Sequence, residues 1–408
     1  MKPLGPIPAG FEAIDGVLAI GGMPVTELVR QAGGTPLFVY SAQMIRDRVA
    51  ALRAAMPEQL EIHYAVKANP FEPILQLMSE LVDGFDVASI GELRMARKAG
   101  IDASRISFAG PGKRDNELAG AIPAGVTINI ESEGEAQRAL AISGRGGQTP
   151  HLAIRVNPPF ELKGSGMKMG GGAKAFGIDA ERVPALARRI LGTRAIWHGF
   201  HIFAGSQSLD ADAIIEMQGQ AIDLAARLAE ESDAPLPQCN LGGGFGIPYF
   251  PGDAPLDIGK IGAALKERFA NLPPVLKDTQ FCIELGRYLV GEAGVYLTSI
   301  VDRKESHGET FLVTDGGLHH QLAASGNFGT VVRRNYPSAI ASRFGAPVEE
   351  EATIVGCLCT PLDVLANQGG FPKAGERDLV AVFCAGAYGA TASPSAFLGQ
   401  GPAQEMLV

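Results

Sequence analysis

The chain has 408 residues, 46% of them hydrophobic, and a formal net charge of −9 from 35 basic and 44 acidic residues. These values predict a globular protein of two domains and argue against nucleic-acid partners and anionic membrane surfaces. No apolar run approaches the roughly 18 residues of a membrane span, and the first residues lack the apolar stretch of a secretory signal, so neither is expected. The five scattered cysteines and seven histidines form no ligand-spaced cluster, which is typical of a cytoplasmic protein with free thiols and no metal site.

Short β-patterned runs alternate with helix-length amphipathic stretches after the first forty residues. Eight such runs are predicted as strands, at 62–68, 85–89, 106–109, 126–131, 151–157, 196–204, 238–242 and 280–285. Helices are predicted between them, among others at 71–80, 90–98, 133–143, 180–191, 211–230 and 257–270. This alternation favours an α/β protein with a closed (β/α)8 barrel, and an open doubly wound sheet is the alternative.

The pattern changes beyond about residue 286, where helices become scarce. Strand runs bounded by turn residues follow at 294–302, 310–314, 352–355 and 379–385. They predict a second, mostly antiparallel β domain, with which the early strand at Leu37–Tyr40 is a candidate to pair. We therefore assign 36–283 to the barrel, and 1–35 together with 284–408 to the β domain.

Lys67 closes the first predicted barrel strand, in the segment YAVKANP. The Asn69-Pro70 pair that follows cannot extend a strand, so the lysine amine is expected at the carboxyl end, where such barrels carry their chemistry. A partly desolvated lysine there can form a Schiff base with a carbonyl group. On position alone, a solvated lysine at a strand end is the simpler alternative.

Two further candidates follow the seventh and eighth strands. The segment LGGGFG at 241–246 offers backbone N–H groups to an anion, since barrel phosphate sites are often built there, although it is also a plain tight turn. Glu284 emerges from an apolar run and must be paired if it is buried, either with an arginine or with a protonated pyridine nitrogen.

His201 and Phe203 share one face at the end of the sixth strand, in GFHIFAGSQ. A flat side chain there can stack on an aromatic cofactor, or it can be an ordinary core aromatic. The glycine-rich segment 163–174 is a candidate lid or surface linker beside this end of the barrel.

Taken together and in order, these motifs resemble the fold-type III pyridoxal-phosphate decarboxylases, the family of diaminopimelate, ornithine and arginine decarboxylases. The resemblance runs from Lys67 to the carboxyl-terminal tail and so covers almost the whole chain. It implies an alanine racemase-like barrel with a β domain, pyridoxal 5′-phosphate as cofactor, an amino-acid substrate, and a homodimer with active sites at its interface.

The resemblance also implies a role for each matching residue. Lys67 would be the Schiff-base lysine, Glu284 would pair with the pyridine nitrogen, and Cys359 from the partner subunit would donate a proton. Asp86 and Ser89 would lie near the lysine and the ring. The phosphate would be held by Ser206, Gly243, Gly244, Gly246, Arg287 and Tyr388. Substrate contacts would come from Arg287, Thr360, Asp363 and Tyr388.

Three departures from the family pattern concern the substrate. Phe203 occupies the position of the usual stacking histidine, and the nearest histidine is His201. Thr360 replaces the acid that normally follows the reactive cysteine and binds a distal ammonium group, and no arginine pattern follows 315–317. Loss of that charged partner should cost diaminopimelate and ornithine roughly 2–5 kcal/mol.

The resemblance therefore implies α-decarboxylation of an amino acid or of an aminoacyl group tethered to a carrier protein. The FHIFAGSQ and CTPLD variants resemble a divergent branch associated with exopolysaccharide or exosortase gene systems. The alternatives are a diaminopimelate decarboxylase proper, a racemase of the same fold type and a non-catalytic binding homologue. Glu284 argues against the racemase, in which an arginine pairs with the pyridine nitrogen, and retention of Lys67 and Cys359 argues against the non-catalytic homologue.

Overall fold

The computed structural model describes residues 1–164, 166–326 and 334–408 and divides into two compact units. The barrel unit contains Val49–Ile247 and Leu256–Gly286. The β unit contains Met1–Arg48, Pro248–Pro255 and Arg287–Val408. Ser165, inside the predicted glycine-rich segment, lies outside the described residues.

The chain begins in the β unit with a small antiparallel sheet and a short helix. Its first elements are β1 (Glu12–Ile14), β2 (Val17–Ile20), β3 (Met23–Pro24), α1 (Val25–Ala32), β4 (Leu37–Tyr40) and α2 (Ala42–Ala55). Strands β1, β2 and β3 pair in that order. Helix α1 ends at Gly33, whose φ of 86° lies in the left-handed region that glycine tolerates best.

Eight parallel strands close into the predicted barrel. The strands of this part of the chain are β5 (Glu61–Ala65), β6 (Gly84–Val87), β7 (Ile106–Phe108), β8 (Thr127–Ile130), β9 (His151–Asn157), β10 (Met167–Lys168), β11 (Ile178–Asp179), β12 (Ile196–Ile202), β13 (Gly205–Ser206), β14 (Gln238–Asn240) and β15 (Gln280–Leu285). The barrel order is β5-β6-β7-β8-β9-β12-β14-β15, and β15 pairs with β5 to complete the ring. All eight predicted strands are confirmed, and the open sheet is excluded.

Helices connect the barrel strands, and short polar side chains cap the first turns of several of them. They are α3 (Glu72–Leu81), α4 (Ile90–Lys98), α5 (Asp115–Ala124), α6 (Glu133–Gly146), α7 (Val183–Leu191), α8 (Ala211–Ser232) and α9 (Ile258–Ala270). Ser132 and Asp210 accept hydrogen bonds from first-turn N–H groups of α6 and α8. The sequence pattern did not predict α5, because Gly120 and Pro123 weaken its helical signal.

The β unit ends in a mixed but mostly antiparallel sheet. Its remaining elements are α10 (Arg287–Val290), β16 (Gly294–Ser306), β17 (Glu309–Thr314), β18 (Ser338–Ile340), β19 (Glu350–Val355), β20 (Val364–Phe371), β21 (Leu379–Val382) and β22 (Gln404–Leu407). Only the β17–β19 and β22–β4 pairs are parallel among these described strands. Buried Leu37, Val39, Val295, Leu297 and Phe383 belong to the core beneath this sheet.

The boundaries drawn from the sequence differ from the observed units at three places. Residues 36–48 lie in the β unit because β4 pairs with β16 and β22, as suggested for Leu37–Tyr40. Residues 248–255 also lie there, whereas 284–286 stay with the barrel because β15 continues to Leu285. Within the described ranges, no helix is long and apolar enough to cross a membrane.

Candidate active site

Lys67 lies just beyond the carboxyl end of β5, on a single turn of 3-10 helix at Val66–Ala68. The hydroxyl of Tyr64 donates to the carbonyl of Asn69 at 2.8 Å, and the Asn69 side chain accepts from the N–H of Phe71 at 3.0 Å. These bonds fix the turn from both sides. The Lys67 side chain itself remains 44% exposed, so its amine is accessible for chemistry.

Glu284 is the buried acceptor for two cationic or polar donors. Lys67 Nζ lies 3.1 Å from Glu284 Oε1, and His201 Nε2 lies 3.1 Å from Oε2. Burial alone would raise the pKa of Glu284, but the Lys67 ammonium and the His201 hydrogen bond hold it well below its usual value. The carboxylate is therefore ionised at the end of β15 and can hold a proton on a neighbouring ring nitrogen.

Phe203 presents a neutral ring between two cations. Lys67 Nζ lies 5.5 Å from the ring centroid and the Arg155 guanidinium carbon lies 5.8 Å from it. His201 stands edge-on to this ring and is already bonded to Glu284. This arrangement favours Phe203 over His201 as the flat group that stacks on a cofactor.

Arg155 belongs to a buried charged network that the sequence reasoning missed. It donates to Glu131 at 3.0 Å, and Glu131 also accepts the backbone N–H groups of Gly110 and Gly177. Nearby, Lys113 and Glu135 pair at 2.7 Å, although each side chain is almost fully buried. Glu284 was identified as a charged residue near the end of an apolar strand run. The same criterion applies to Glu131 and Arg155, so a search for such residues would have included both.

Asp86 and Ser89 follow the second barrel strand but have different surroundings. Asp86 is buried, accepts a hydrogen bond from the Ser107 hydroxyl, and lies 3.5 Å from Nδ1 of His63. Gly84 makes room for this histidine, because a Cβ there would come within 2.5 Å of its Nε2. Ser89 instead caps α4 by accepting the N–H of Glu92 at 3.1 Å. Its hydroxyl thus has a structural role, and a cofactor contact for Ser89 stays a prediction.

The glycine loop after β14 is held in a turn that exposes backbone donors. Asn240 accepts the N–H of Gly242 through its side chain at 2.8 Å, and Gly242 has a φ of 73°. A Cβ on Gly243 would lie 2.1 Å from the carbonyl oxygen of Glu284, so only glycine fits. Among the described residues, the N–H groups of Gly243 and Gly244 have no acceptor. Such donors suit an anion.

In the β unit, Arg287 is surrounded by tyrosines. Its guanidinium donates to the hydroxyl of Tyr249 at 2.7 Å and lies 4.8 Å from the ring centroid of Tyr388. Burial alone would lower the pKa of Arg287, but the neighbouring Tyr249 and Tyr388 raise it. The cation is therefore retained, and Tyr249 is a neighbour that the motif analysis did not identify.

The loop that contains Cys359 is held by a buried acid. Asp363 accepts the backbone N–H groups of Leu318 and Leu358, at 2.6 and 2.9 Å, through its two carboxylate oxygens. It is 2% exposed, whereas Cys359 is exposed and Thr360 is half-buried. These contacts give Asp363 a structural role, and the substrate contact implied for it stays a prediction.

Comparison with known proteins identifies the family. Residues 42–291 match the pyridoxal binding domain of the pyridoxal-dependent decarboxylases. The chain belongs to this family. It is 36% identical over 381 residues to the L-glutamyl-[BtrI acyl-carrier protein] decarboxylase of Niallia circulans, covering 91% of this chain and 88% of the relative.

Diaminopimelate decarboxylases are also similar along nearly their whole length. That of Aquifex aeolicus is 33% identical over 387 residues, covering 93% of this chain and 88% of the relative. The solved diaminopimelate decarboxylase of M. jannaschii, in complex with L-lysine, superposes with a TM-score of 0.86 at 26% identity, covering 98% and 93% of the two chains. The protein is thus a fold-type III decarboxylase that uses pyridoxal phosphate, as the sequence motifs predicted.

The observed donors and acceptors fit this cofactor. The ionised Glu284 suits a protonated pyridine nitrogen, and the unpaired N–H groups of Gly243 and Gly244 suit a phosphate. Among the described residues, no three His, Cys, Asp or Glu side chains are grouped to hold a metal ion. The homodimer, the cytoplasmic location and the exopolysaccharide- or exosortase-associated branch stay predictions.

Proposed function

We propose that this decarboxylase acts on an aminoacyl group, glutamyl in the first instance, that is joined to an acyl carrier protein. The observation that carries this proposal is the Cys359 loop, in which Thr360 stands where diamino-acid decarboxylases have an acid. The similarity to the L-glutamyl-[BtrI acyl-carrier protein] decarboxylase, over most of both chains, supports the same substrate class.

The chemistry of α-decarboxylation limits how such a substrate can be attached. The α-carboxylate must be free in order to leave as CO2, and the α-amine must be free to react with the cofactor. For a glutamyl group, only the side-chain carboxyl then remains to form the thioester with the carrier. The distal end that the site receives is therefore a neutral thioester and carries no charge.

The Cys359 loop suits a neutral distal group. The segment from 356 to 363 contains a single acid, Asp363, and both of its oxygens already accept backbone N–H groups. A distal ammonium would find no available carboxylate in this segment and would lose roughly 2–5 kcal/mol of binding. The Thr360 hydroxyl, in contrast, can donate a hydrogen bond to a thioester carbonyl.

The residues that match the family's motifs would hold the cofactor. Lys67 would bind it through its amine, Glu284 would hold the proton on the ring nitrogen, and Phe203 would stack on the ring. The phosphate would be bound by Ser206, Gly243, Gly244, Arg287 and Tyr388. Gly246, also assigned to the phosphate from the motif, donates its N–H to the Ser208 carbonyl at 2.8 Å and would complete the turn instead. When bound, pyridoxal phosphate supplies the conjugated ring that accepts the electron pair left on Cα as CO2 departs.

The protein groups then control where protons reside. Glu284 is ionised, with His201 Nε2 donating to its Oε2, so it would hold the proton on the ring nitrogen of the bound cofactor. One proton must be delivered to Cα to replace the carboxylate. The exposed thiol of Cys359 is the donor that we assign to this step, and Lys67 is the other candidate.

The assignment of Cys359 to the partner subunit can be tested by mixing inactive variants. Lys67→Ala and Cys359→Ala proteins should each be inactive or strongly impaired. If subunits exchange and the site is shared, the mixture should recover up to about one quarter of wild-type activity, because random pairing leaves one intact site in half of the dimers. No recovery despite demonstrated subunit exchange would contradict a shared site.

The substrate is tested by product mass, with pyridoxal phosphate added. The panel contains free glutamate, ornithine, lysine, arginine and meso-diaminopimelate, and glutamate joined through its side-chain carboxyl to an acyl carrier protein. We expect a loss of one CO2 only from the carrier-bound glutamyl group, with carrier lacking the glutamyl group as the matched control. Efficient turnover of a free diamino acid would refute the proposal.

A further inference from the structure

Gln207 adopts a backbone conformation that is unfavourable for its residue type. It lies directly after Ser206, and its φ of 62° places it in the left-handed region. A residue with a Cβ is strained there, and such strain persists only where surrounding contacts enforce it. At Gln207 the backbone carbonyl accepts the N–H of Gly166 at 3.3 Å, and the side chain makes two further bonds.

The carboxamide of Gln207 pairs with both backbone groups of Ile247. Nε2 donates to the Ile247 carbonyl at 2.7 Å, and Oε1 accepts the Ile247 N–H at 3.2 Å. A two-bond pairing of this kind requires one donor and one acceptor in fixed orientation, which a glutamine amide provides. It anchors the end of the glycine loop to the segment that contains Ser206.

Backbone bonds complete the same junction. The N–H of Ser208 donates to the carbonyl of Gly244, and the N–H of Gly246 donates to the carbonyl of Ser208, both at 2.8 Å. A Cβ on Gly246 would come within 2.8 Å of that Ser208 oxygen and 3.1 Å of Gln207 Oε1. The two loops are therefore packed so closely that only glycine fits between them.

We propose that Gln207 is a positioning residue that fixes the glycine loop against Ser206 and so preorganises the phosphate-binding donors. This inference rests on the assignment, in the proposed function, of the phosphate to these two loops. A glycine-rich loop has high conformational freedom, and an anion site of backbone N–H groups binds tightly only if those groups are already in place. Gln207 removes that freedom without contacting the phosphate itself.

The proposal predicts an effect confined to ligands that carry a phosphate. Cofactor is removed from the holoenzyme, and the protein is titrated with pyridoxal phosphate and, separately, with pyridoxal, which lacks the phosphate. Binding is followed by absorbance and by protein fluorescence, in the absence of any substrate. The measured binding therefore does not depend on whether a glutamyl group on an acyl carrier protein is the substrate.

Two variants test the side chain in different ways. Gln207→Met keeps its length but not its hydrogen bonds, and Gln207→Gly removes the side chain while relieving the backbone strain. Both should raise the Kd for pyridoxal phosphate about tenfold or more, while the Kd for pyridoxal changes by less than about twofold. Gln220→Met, at a half-buried position on α8, is the matched control and should change neither constant.

Several results would overturn the proposal. One is an unchanged Kd for pyridoxal phosphate in Gln207→Met, and another is an equal weakening of both ligands, which would indicate general loss of structure. Normal binding by Gln207→Gly would also refute it, because that variant lacks the amide too. A wild-type protein that binds pyridoxal as tightly as pyridoxal phosphate would contradict the phosphate site itself.

Discussion

The barrel unit and the β unit present their site residues in contrasting ways. In the barrel unit, charges are paired with buried carboxylates, as in Lys67 with Glu284 and Arg155 with Glu131. In the β unit, the Cys359 loop offers an exposed thiol and a neutral hydroxyl, and its single acid is engaged by the backbone. The contrast suggests that the barrel fixes chemistry common to all substrates, whereas the loop selects among them.

The largest effect is expected at Lys67. Lys67→Ala should reduce decarboxylation by on the order of 10⁴-fold, because it removes the amine assigned to hold the cofactor. The loss should be the same for every substrate, since the lysine belongs to the common chemistry. Activity is measured by CO2 release, and the covalently bound cofactor is followed by absorbance.

A surface lysine provides the control for this variant. Lys98 is 73% exposed and pairs with Glu72, so Lys98→Ala should retain wild-type activity and absorbance. Full turnover by Lys67→Ala, with the cofactor still covalently attached, would remove the lysine from the mechanism. The contrast between the two units would then lose its main support.

Glu284 is expected to have the next largest effect. Glu284→Gln should lower kcat by on the order of 10²–10³-fold, because a neutral amide cannot keep the ring nitrogen protonated and leaves Lys67 and His201 without their buried acceptor. Glu72→Gln, in an exposed ion pair, is the control. A Glu284→Gln enzyme within about threefold of wild type would show that ring protonation does not depend on this carboxylate.

The sequence predicted the barrel and much of its site because those signals are local. Buried parallel strands are nearly continuous apolar runs, and Lys67, Glu284 and the glycine loop each directly follow such a run. The pairing of His63 with Asp86, and that of Gln207 with Ile247, depend on which strands and loops are neighbours in the ring. Nothing near these residues in the sequence specifies such neighbours.

In the β unit, contacts between residues distant in the sequence are even harder to predict from local motifs. Tyr249 belongs to no local motif, and its bond to Arg287 joins residues 38 positions apart, with α9 and β15 between them. A substrate contact for Asp363 stays a prediction, and the structure shows that both of its carboxylate oxygens already accept backbone N–H groups. Motif position identifies a candidate residue, and only the folded contacts tell whether its polar atoms remain available.

A smaller and selective effect is expected at Thr360. Thr360→Asp restores an acid beside Cys359 and should raise turnover of meso-diaminopimelate by about tenfold or more, while lowering turnover of the carrier-bound glutamyl group. Leu362→Asp adds the same charge at an exposed position of the same loop and is the matched control. Equal changes for both substrates would contradict the view that this loop selects the substrate.

The smallest effect concerns stability at low pH and arises in the β unit. Burial, with a contribution from His319, lowers the pKa of His320 to about 4 from its ordinary value of 6.5. The neutral ring lies 3.0 Å from the Tyr296 hydroxyl and 3.0 Å from the Gly401 carbonyl. Because the unfolded chain takes up the proton first, the free energy of unfolding should fall as the pH drops from 6.5 towards 4.

This pH dependence can be assigned by substitution. In His320→Gln, the free energy of unfolding should fall by about 1 kcal/mol less than in wild type across that pH range. The measurement is chemical denaturation at each pH. His307→Gln, at an exposed turn, is the control and should keep the wild-type slope. An unchanged slope in His320→Gln would assign the acid sensitivity to other groups.

The strand β4 has a consequence for how the protein is made. It is synthesised within the first forty residues, yet its partners β16 and β22 leave the ribosome only after the whole barrel has been translated. Until then, Leu37–Tyr40 is an apolar strand with two unpaired edges, the kind of segment that associates with other chains. Nascent chains that stall before Gln404 would therefore be the ones most dependent on chaperones.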